Sequence, residues 1–516
     1  MMKWLNVVFL AKVALFCLII LDILPRSFAL YGAIGFSLYL ILASLENGVI
    51  FFVRLIPLFI ALPFTESFDN FNEWRIYAFI IAIKWIFQKE TRYYLGHELK
   101  TLIRKPYLFF KDHPIVCGLF ILLVLSMLSV YPAQDKMAAV KRIIYFLNAG
   151  LIGTVIYFET QFDRIFRKRL IKNISIPVII AAGVGYVQLI STYLIDIYQF
   201  MRIWGEGIQL KQFGTMWSYI AIHLGNTWFA YYGEQLSLRV FSLFPDSHSF
   251  PVFLLLGLPA LFALSLVKPI RDGKTLTRIA RTRGSWFTVS IPFVFLIIIL
   301  SGTRGIWAAS IIVILWVLIL LGYMHWKKVD QQPKTIFKYL TSYLIIFFLC
   351  FSIAYPVFVS PQFLLSKGDL GLLRNRIKSI IDFGETSNSQ RLVIWRDSVE
   401  SINKRPFLGV GIGNFPVVLK QDIRLAKAGS SAHNLYLNIA AEMGILALLA
   451  ALFLIWKVIQ STYRNYISEA DPFFRIYCGM MLISLPWVLV YALTDVAIFD
   501  ERALLLFFIS LALSSW

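Results

Sequence analysis

The stretch that decides the fold class is FPVFLLLGLPALFALSLV, residues 250–267. It contains no charged residue, and its length is close to the roughly 20 residues with which an α-helix crosses about 30 Å of hydrocarbon. Comparable apolar runs occupy 114–130, 306–323 and 435–456. No stretch alternates apolar and polar residues like the strands of an outer-membrane barrel. The sequence therefore predicts an all-α polytopic integral membrane protein.

The composition agrees with this fold class. Of the 516 residues, 59% are hydrophobic and 15% are charged, and the mean hydropathy is +0.73. The net charge of +20 would suit a nucleic-acid-binding protein. The basic residues, however, cluster in short loops between apolar runs, which is typical of the cytoplasmic loops of membrane proteins. We therefore expect no nucleic-acid partner. The four cysteines have neither metal-ligand spacing nor an obvious disulfide framework.

The apolar runs predict about fourteen (12–14) transmembrane helices, the first of which we interpret as a retained helix rather than a signal peptide. Their approximate limits are 5–22, 28–44, 48–64, 75–88, 114–131, 139–157, 175–198, 250–268, 286–300, 304–323, 339–358, 434–456, 475–494 and 500–515.

The charges of the loops predict the orientation. Loops rich in Lys and Arg fall on one face under this count, at 89–111, 164–172, 268–283 and 327–338. The short loops 66–73 and 495–501 on the opposite face are acidic. The positive-inside rule therefore predicts that both termini are cytoplasmic and that two long loops, 201–249 and 360–433, lie outside.

The loop 360–433 is too long for a simple connector. Its first part predicts an amphipathic helix on the membrane surface, with apolar and basic residues at Leu370, Leu373, Ile377, Ile380, Arg374, Arg376 and Lys378. A second helix is predicted after Ser387-Asn388-Ser389, whose side chains suit a helix N-cap. The glycine-rich run GVGIGNF at 409–415 predicts a tight turn, without the strand–turn–helix setting of a nucleotide loop.

Four polar clusters could carry chemistry, and all are predicted on the outer face. They are RVFSLFPDSHSF at 239–250, SGTRG at 301–305, QRLVIW at 390–395 with the glycine run that follows it, and the stretch from His433 to Glu442.

Each of these polar residues also has a purely structural interpretation. Arg304 suits an interfacial anchor, and His433 suits a residue near a helix cap. A charge as deep in a span as Glu442 needs a partner such as a structural arginine. Asp246 and His248 suit residues that shape a loop. Arg391, in a basic amphipathic helix, suits contact with anionic headgroups.

Taken in order, the clusters resemble the O-antigen ligase and polymerase family of bacterial envelope glycosyltransferases. His433-Asn434 followed by Glu442-Met443-Gly444 is similar to the family's His-Asn…Glu-x-Gly signature. The segment before it also looks like the family's, with Arg391, Trp395 and then PFLGVG at 406–411.

Two further motifs carry the resemblance. SGTRG at 301–305 looks like the family's Ser-x-Ser-Arg-Gly turn, and 239–250 is similar to its Arg…Asn/Asp-Pro-Asn motif. Here Ser247-His248 stands in place of the usual Pro-Asn, which leaves the role of His248 open. The resemblance divides the chain into an N-terminal transmembrane bundle (1–200), a ligase- or polymerase-like catalytic region (201–456) and C-terminal transmembrane helices (457–516).

The resemblance implies transfer of a glycan from an undecaprenyl-pyrophosphate-linked donor to an acceptor hydroxyl, on the outer face of a bacterial plasma membrane. Arginine binds phosphate oxygens in bidentate fashion, so the expected pyrophosphate ligands are Arg239, Arg304 and Arg391. His433 is the candidate base. Supporting roles are expected for Asp246, His248, Trp395, Asn434 and Glu442. The sequence shows no nucleotide site and no Asp-x-Asp cluster, so we expect neither cofactor nor metal and an inverting single displacement.

The acceptor is left open: lipid A core for a ligase, a second lipid-linked glycan for a polymerase, or a protein. A different class, a transporter or flippase for lipid-linked sugars, would place its charged residues at mid-membrane on related repeats. A membrane scaffold would tolerate single loss of Arg304 or His433. The crowding of the polar clusters on one predicted face favours the enzyme.

Overall fold

The computed structural model describes residues 2–66, 68–219, 222, 227–232, 235–271, 285–365, 386–421 and 430–515. The first helices are α1 (Met2–Ile20), α2 (Phe28–Leu42), α3 (Leu45–Leu55), α4 (Trp74–Ile86), α5 (Lys89–Arg104), α6 (Pro106–Asp112), α7 (Pro114–Leu128), α8 (Lys136–Phe162), α9 (Arg164–Ser191), α10 (Ile197–Phe200), α11 (Leu210–Phe213) and α12 (Thr215–Tyr219).

The later helices are α13 (Ser249–Arg271), α14 (Ser285–Leu300), α15 (Arg304–Trp326), α16 (Gln331–Val359), α17 (Thr386–Lys404), α18 (Leu435–Met443), α19 (Ile445–Ser468), α20 (Pro472–Tyr491) and α21 (Glu501–Ser514). A π-helix spans Met201–Gln209. Short 3₁₀ helices occupy Ile56–Leu58, Phe415–Val417 and Ala497–Phe499.

Two small antiparallel hairpins are present, where we expected no strands: the first joins the end of the span predicted at 48–64 to the loop 66–73, and the second lies in the predicted outer loop 201–249. In the first, β1 (Ala61–Leu62) pairs with β2 (Phe71–Asn72). In the second, β3 (Phe229–Tyr232) pairs with β4 (Gln235–Leu238), with Phe229 opposite Leu238. The second hairpin leads directly into the first polar cluster.

Within the described residues, eight helices are long and apolar enough to cross a membrane, and the pair α6–α7, bent by 107°, would make a ninth. The chain is therefore an all-α, multi-pass membrane protein. Further apolar helices are shorter, at Phe28–Leu42 and Thr288–Leu300, so the count of about fourteen stays a prediction. The amphipathic helix predicted around 370–380 lies outside the described residues.

Two helices form the centre of the bundle. Of the apolar windows of α13 and α20, 89% and 94% of the residues are buried, against 22% in α1 and α19. α13 packs against α20, and also against α9, α14 and α21. Gly257 permits the approach to α9, because a Cβ at this position would collide with Val178. The polar segments that precede α13 and follow α20 are thus anchored to the best-packed part of the molecule.

Two predicted spans are not continuous helices. The span predicted at 48–64 ends as α-helix at Leu55, and Pro57, which has no N–H to continue the helix, lies in a 3₁₀ turn before β1. The span predicted at 434–456 breaks at Gly444, whose φ of +89° favours glycine. The chain at Pro406 fills the break, accepting a hydrogen bond from Ile445 N–H at 2.7 Å. Glu442 consequently lies in the last turn of the short helix α18.

Candidate active site

A cavity of about 250 Å³ lies where the four polar clusters meet. Five of the nine predicted site residues line it, namely Arg239, His248, Arg304, Arg391 and His433. The other four are not in the lining, namely Asp246, Trp395, Asn434 and Glu442. The structure therefore brings together in one place all three arginines expected to bind pyrophosphate and the candidate base.

The turn that carries Arg304 is tied to the segment that carries His248. Gly302 has a φ of +64°, which bends the chain between α14 and α15. The Thr303 hydroxyl donates to the Ser247 carbonyl at 2.7 Å. The backbone at Arg239 is held nearby. The backbone N–H of Arg239 donates to the carbonyl of Trp228 at 2.7 Å, and the backbone N–H of Val240 donates to the carbonyl of Leu300. Two of the arginines are thus fixed to one framework.

Asp246 shapes the start of α13. Its carboxylate accepts hydrogen bonds from the N–H groups of His248 (2.9 Å) and Ser249 (2.7 Å), and from the Ser249 hydroxyl. Burial raises the pKa of this carboxyl, although these hydrogen bonds oppose the shift. The arrangement agrees with the structural interpretation of Asp246 and fixes the backbone of His248.

The backbone around His433 is held on both sides. His433 itself has a left-handed φ of +46°. Asn434 caps α18 by accepting from Tyr436 N–H and Leu437 N–H, and the N–H of Leu435 donates to Ala492 at 2.8 Å. These bonds fix the backbone at the N-terminal end of α18, where the ring of His433 lines the cavity.

Two predicted residues outside the cavity lining, Trp395 and Glu442, hold the chain around the segment that carries His433. Trp395 Nε1–H donates to the Ala432 carbonyl at 3.0 Å, which connects α17 to the residue before His433. The buried Glu442 carboxylate accepts from backbone N–H groups in the glycine-rich turn, at Gly413 and Phe415, and Arg142 is the charge beside it. The expectation of a structural arginine partner for Glu442 agrees with this position.

Sequence reasoning missed two residues at the end of the central helix α20: Tyr491 is the last residue of the helix, and Asp495 follows it. Asp495 Oδ2 lies 3.8 Å from His433 Nδ1 and 3.4 Å from His248 Nδ1. The Tyr491 hydroxyl lies 2.7 Å from His248 Nδ1 and also lines the cavity. The sequence holds a signal for Asp495, since the acidic loop 495–501 is predicted on the same face as the polar clusters.

The surroundings of His248 and Asp495 shift the pKa values of both groups. Burial, together with the neighbouring guanidinium groups of Arg239 and Arg391, lowers the pKa of His248 to about 3, so this imidazole is neutral at physiological pH. Burial opposes ionisation of Asp495, but His248, His433 and Arg391 hold its pKa below the ordinary value. Asp495 is therefore a carboxylate that faces two imidazoles and the guanidinium of Arg391.

This arrangement suits the binding of an oxyanion beside a base. Three guanidinium groups offer bidentate donors, and an imidazole backed by a carboxylate can accept a proton. Among the described residues, no group of three or more His, Cys, Asp or Glu side chains has the spacing to hold a metal ion.

Comparison with known proteins finds a family that matches the part of the chain containing three of these residues. No curated protein matches the chain. The family model described as O-antigen ligase matches residues 289–452, a segment that contains Arg304, Arg391 and His433 but begins after His248 and ends before Asp495. The resemblance inferred from the motifs is thereby confirmed, and the chain carries, at 289–452, a domain of the O-antigen ligase family.

Proposed function

We propose that the protein is a membrane glycosyltransferase that moves a glycan from an undecaprenyl-pyrophosphate-linked donor to an acceptor hydroxyl. The observation that carries the proposal is the meeting of Arg239, Arg304 and Arg391 with the pair His433–Asp495 around one cavity. The O-antigen ligase match over 289–452 supports the reaction type.

The three arginines bind the pyrophosphate of the donor. As the bond between the sugar and the phosphate oxygen breaks, negative charge grows on the departing phosphate, and preorganised cations stabilise it. Arg239 and Arg304 approach from one framework and Arg391 from α17, so the phosphate is gripped from two sides. This fixed positive charge does the work that a divalent cation does in other transferases, and we propose a metal-independent reaction.

His433 is the base. It takes the proton of the acceptor hydroxyl as that oxygen attacks the anomeric carbon from the side opposite the leaving phosphate, so the configuration inverts. Asp495, at 3.8 Å from His433 Nδ1, stabilises the imidazolium that forms. The energy for transfer is stored in the donor, and the mechanism needs no cofactor.

The partners are membrane-bound. The donor's polyprenyl tail lies in the bilayer of a bacterial plasma membrane, and the cavity opens on its outer, periplasmic face. The acceptor is a glycan, a lipid A core or another hydroxyl compound; its identity separates a ligase from a polymerase.

The test is release of undecaprenyl pyrophosphate from a lipid-linked oligosaccharide by the purified protein in nanodiscs, with EDTA throughout. We expect release by the wild type and a loss of at least about 100-fold in His433→Ala and in Arg304→Ala, the scale of a lost base or transition-state donor. The matched controls are His325→Ala and Arg396→Ala, both exposed and outside the cavity lining, which should keep wild-type rates.

The opposite results are equally informative. Full activity in His433→Ala would remove the base from the mechanism, and activity abolished by EDTA would contradict metal independence. If no acceptor supports release while proteoliposomes flip the lipid-linked sugar, the protein is a transporter.

A further inference from the structure

The cavity contains two histidines that face the same carboxylate oxygen. Asp495 Oδ2 lies 3.4 Å from Nδ1 of His248 and 3.8 Å from Nδ1 of His433. We propose that His248 is a positioning residue that shares this carboxylate with His433 and keeps the carboxylate out of hydrogen-bond distance from the base. The inference rests on the proposed function, in which His433 is the base.

His248 is placed to hold Asp495 rigidly. Its side chain is only 16% exposed, against 44% for His433, and that of Asp495 is 10% exposed. Its backbone is fixed by the Asp246 carboxylate, and the Tyr491 hydroxyl contacts Nδ1 at 2.7 Å. The carboxylate therefore lies between one immobilised imidazole and one that reaches into the cavity.

The tautomer of His248 follows from its other neighbour. Nε2 lies 3.4 Å from Nη2 of Arg239, and a guanidinium group can only donate hydrogen bonds. Nε2 must therefore carry the lone pair, which leaves the proton of the neutral ring on Nδ1. That N–H faces the Tyr491 hydroxyl at 2.7 Å, with Asp495 Oδ2 at 3.4 Å from the same nitrogen, so His248 presents a positive partial charge to the carboxylate without a net charge.

The other charged groups around the two rings are the arginines and a second carboxylate, Asp246, whose Oδ1 accepts from the backbone N–H of His248 at 2.9 Å. The charged groups that act on His248 are Asp495, Arg239, Arg391 and His433. His433 shares the cavity lining with Arg239, Arg304 and Arg391, with Asp495 as its acidic neighbour. Because the arginines disfavour an imidazolium and Asp495 favours one, the distance from Asp495 to His433 decides the balance.

This geometry predicts the direction in which the pH dependence of transfer moves when His248 is replaced. Without the donor at Nδ1 of His248, the carboxylate is free to move from 3.8 Å to hydrogen-bond distance from His433. A closer negative charge stabilises the imidazolium, so a higher pH is needed to free the base. Coulomb's law at an effective dielectric of about 20 gives a rise of about one pH unit.

The test compares two substitutions of His248 in the pH dependence of glycan transfer. His248→Phe keeps a ring but loses the donor, and we expect the acid limb of kcat to move up by about one pH unit while the rate recovers at higher pH. In His248→Asn the side-chain NH₂ can lie near the former Nδ1 and hold Asp495, so the acid limb should stay close to the wild-type position. His325→Phe, remote from the cavity, is the control for the added ring.

A second readout needs no substrate and so separates this inference from the proposed function. Diethyl pyrocarbonate modifies only the neutral imidazole, and peptide mapping follows His433 among the six histidines of the chain. The midpoint pH for modification of His433 should rise in His248→Phe and fall in Asp495→Asn. In the double variant, the effect of His248→Phe should disappear, because it acts through the carboxylate.

Several results would overturn the inference. An unchanged midpoint in His248→Phe, or the same shift in the double variant as in the single one, would show that His248 does not act through Asp495. A raised donor KM with an unmoved acid limb would make His248 a donor ligand instead. If the midpoints shift as expected but no transfer occurs, the positioning holds and the proposed reaction fails.

Discussion

At the scale of single residues, Gly305 shows how closely the elements of the cavity meet. It follows Arg304 at the start of α15, and a Cβ there would lie 2.5 Å from Thr494 Oγ1 and 2.8 Å from the Tyr491 ring. Neither neighbour is free to yield, since both belong to the packed segment that ends α20. The glycine in SGTRG is thus a spacing requirement between Arg304 and the segment that carries Asp495.

We expect Gly305→Ala to lower stability by about 1–3 kcal/mol, the usual cost of overpacking, and to reduce transfer activity because Arg304 is displaced. Thermal unfolding in detergent and the release assay measure the two effects. Gly322→Ala is the control, because it lies in the same helix with nothing within 4 Å of the added methyl group. Equal effects of the two substitutions would contradict the close approach.

The residues that could be predicted from the sequence were those in motifs. Arg304, Arg391 and His433 each stand in a short polar stretch between apolar runs, which marks them out without a structure. Tyr491 lies inside a predicted span and Asp495 in a short acidic loop without a family motif, so only the fold shows that the end of α20 lies beside His433. Asp246 and Glu442 lie outside the cavity lining, and their hydrogen bonds to backbone N–H groups cannot be read from the spacing of the sequence.

At the scale of elements, α17 acts as a support for the segment that carries the base. Arg391 on its first half lines the cavity, and one turn later Trp395 donates to Ala432, directly before His433. One helix therefore positions both a proposed phosphate ligand and the proposed base.

We expect Trp395→Phe to keep the fold but lower kcat by about 3- to 10-fold, because a hydrogen bond worth about 0.5–1.5 kcal/mol no longer holds the backbone before His433. Steady-state kinetics of transfer measure it, with donor KM little changed. Trp326→Phe is the control, since Trp326 is 71% exposed at the end of α15. A larger loss in the control, or a change confined to KM, would contradict this role of Trp395.

The elements themselves were predicted well where apolar runs are long, and poorly where the chain breaks. Hydropathy cannot distinguish 434–456 as one helix from two helices divided at Gly444, because both halves are apolar. The break depends on the chain at Pro406 reaching the gap, a tertiary contact. The hairpins β1–β2 and β3–β4 were missed for a similar reason, since strands of two to four residues carry little periodicity.

At the scale of the whole molecule, the four polar clusters, all predicted on one face, meet around one cavity, and the side of the membrane on which that face lies stays a prediction. We expect a cysteine at Gln390, which is exposed at the cavity, to react with an impermeant maleimide from outside intact cells. A cysteine at the exposed Lys328 should react only after permeabilisation. The assay starts from a variant without the four native cysteines, and the reverse pattern of labelling would invert the orientation.

The cavity draws on separate stretches from Arg239 to Asp495, which has a consequence for biosynthesis. A ribosome that has finished the segment 289–452 has made the whole ligase match but not the carboxylate beside His433. Until α20 and the turn after it have inserted, the nascent chain has no complete site. Under the proposed mechanism, the nascent chain cannot consume the activated donor during translation, and we expect a stop codon shortly before Tyr491 to yield a product with every family motif and no transfer activity.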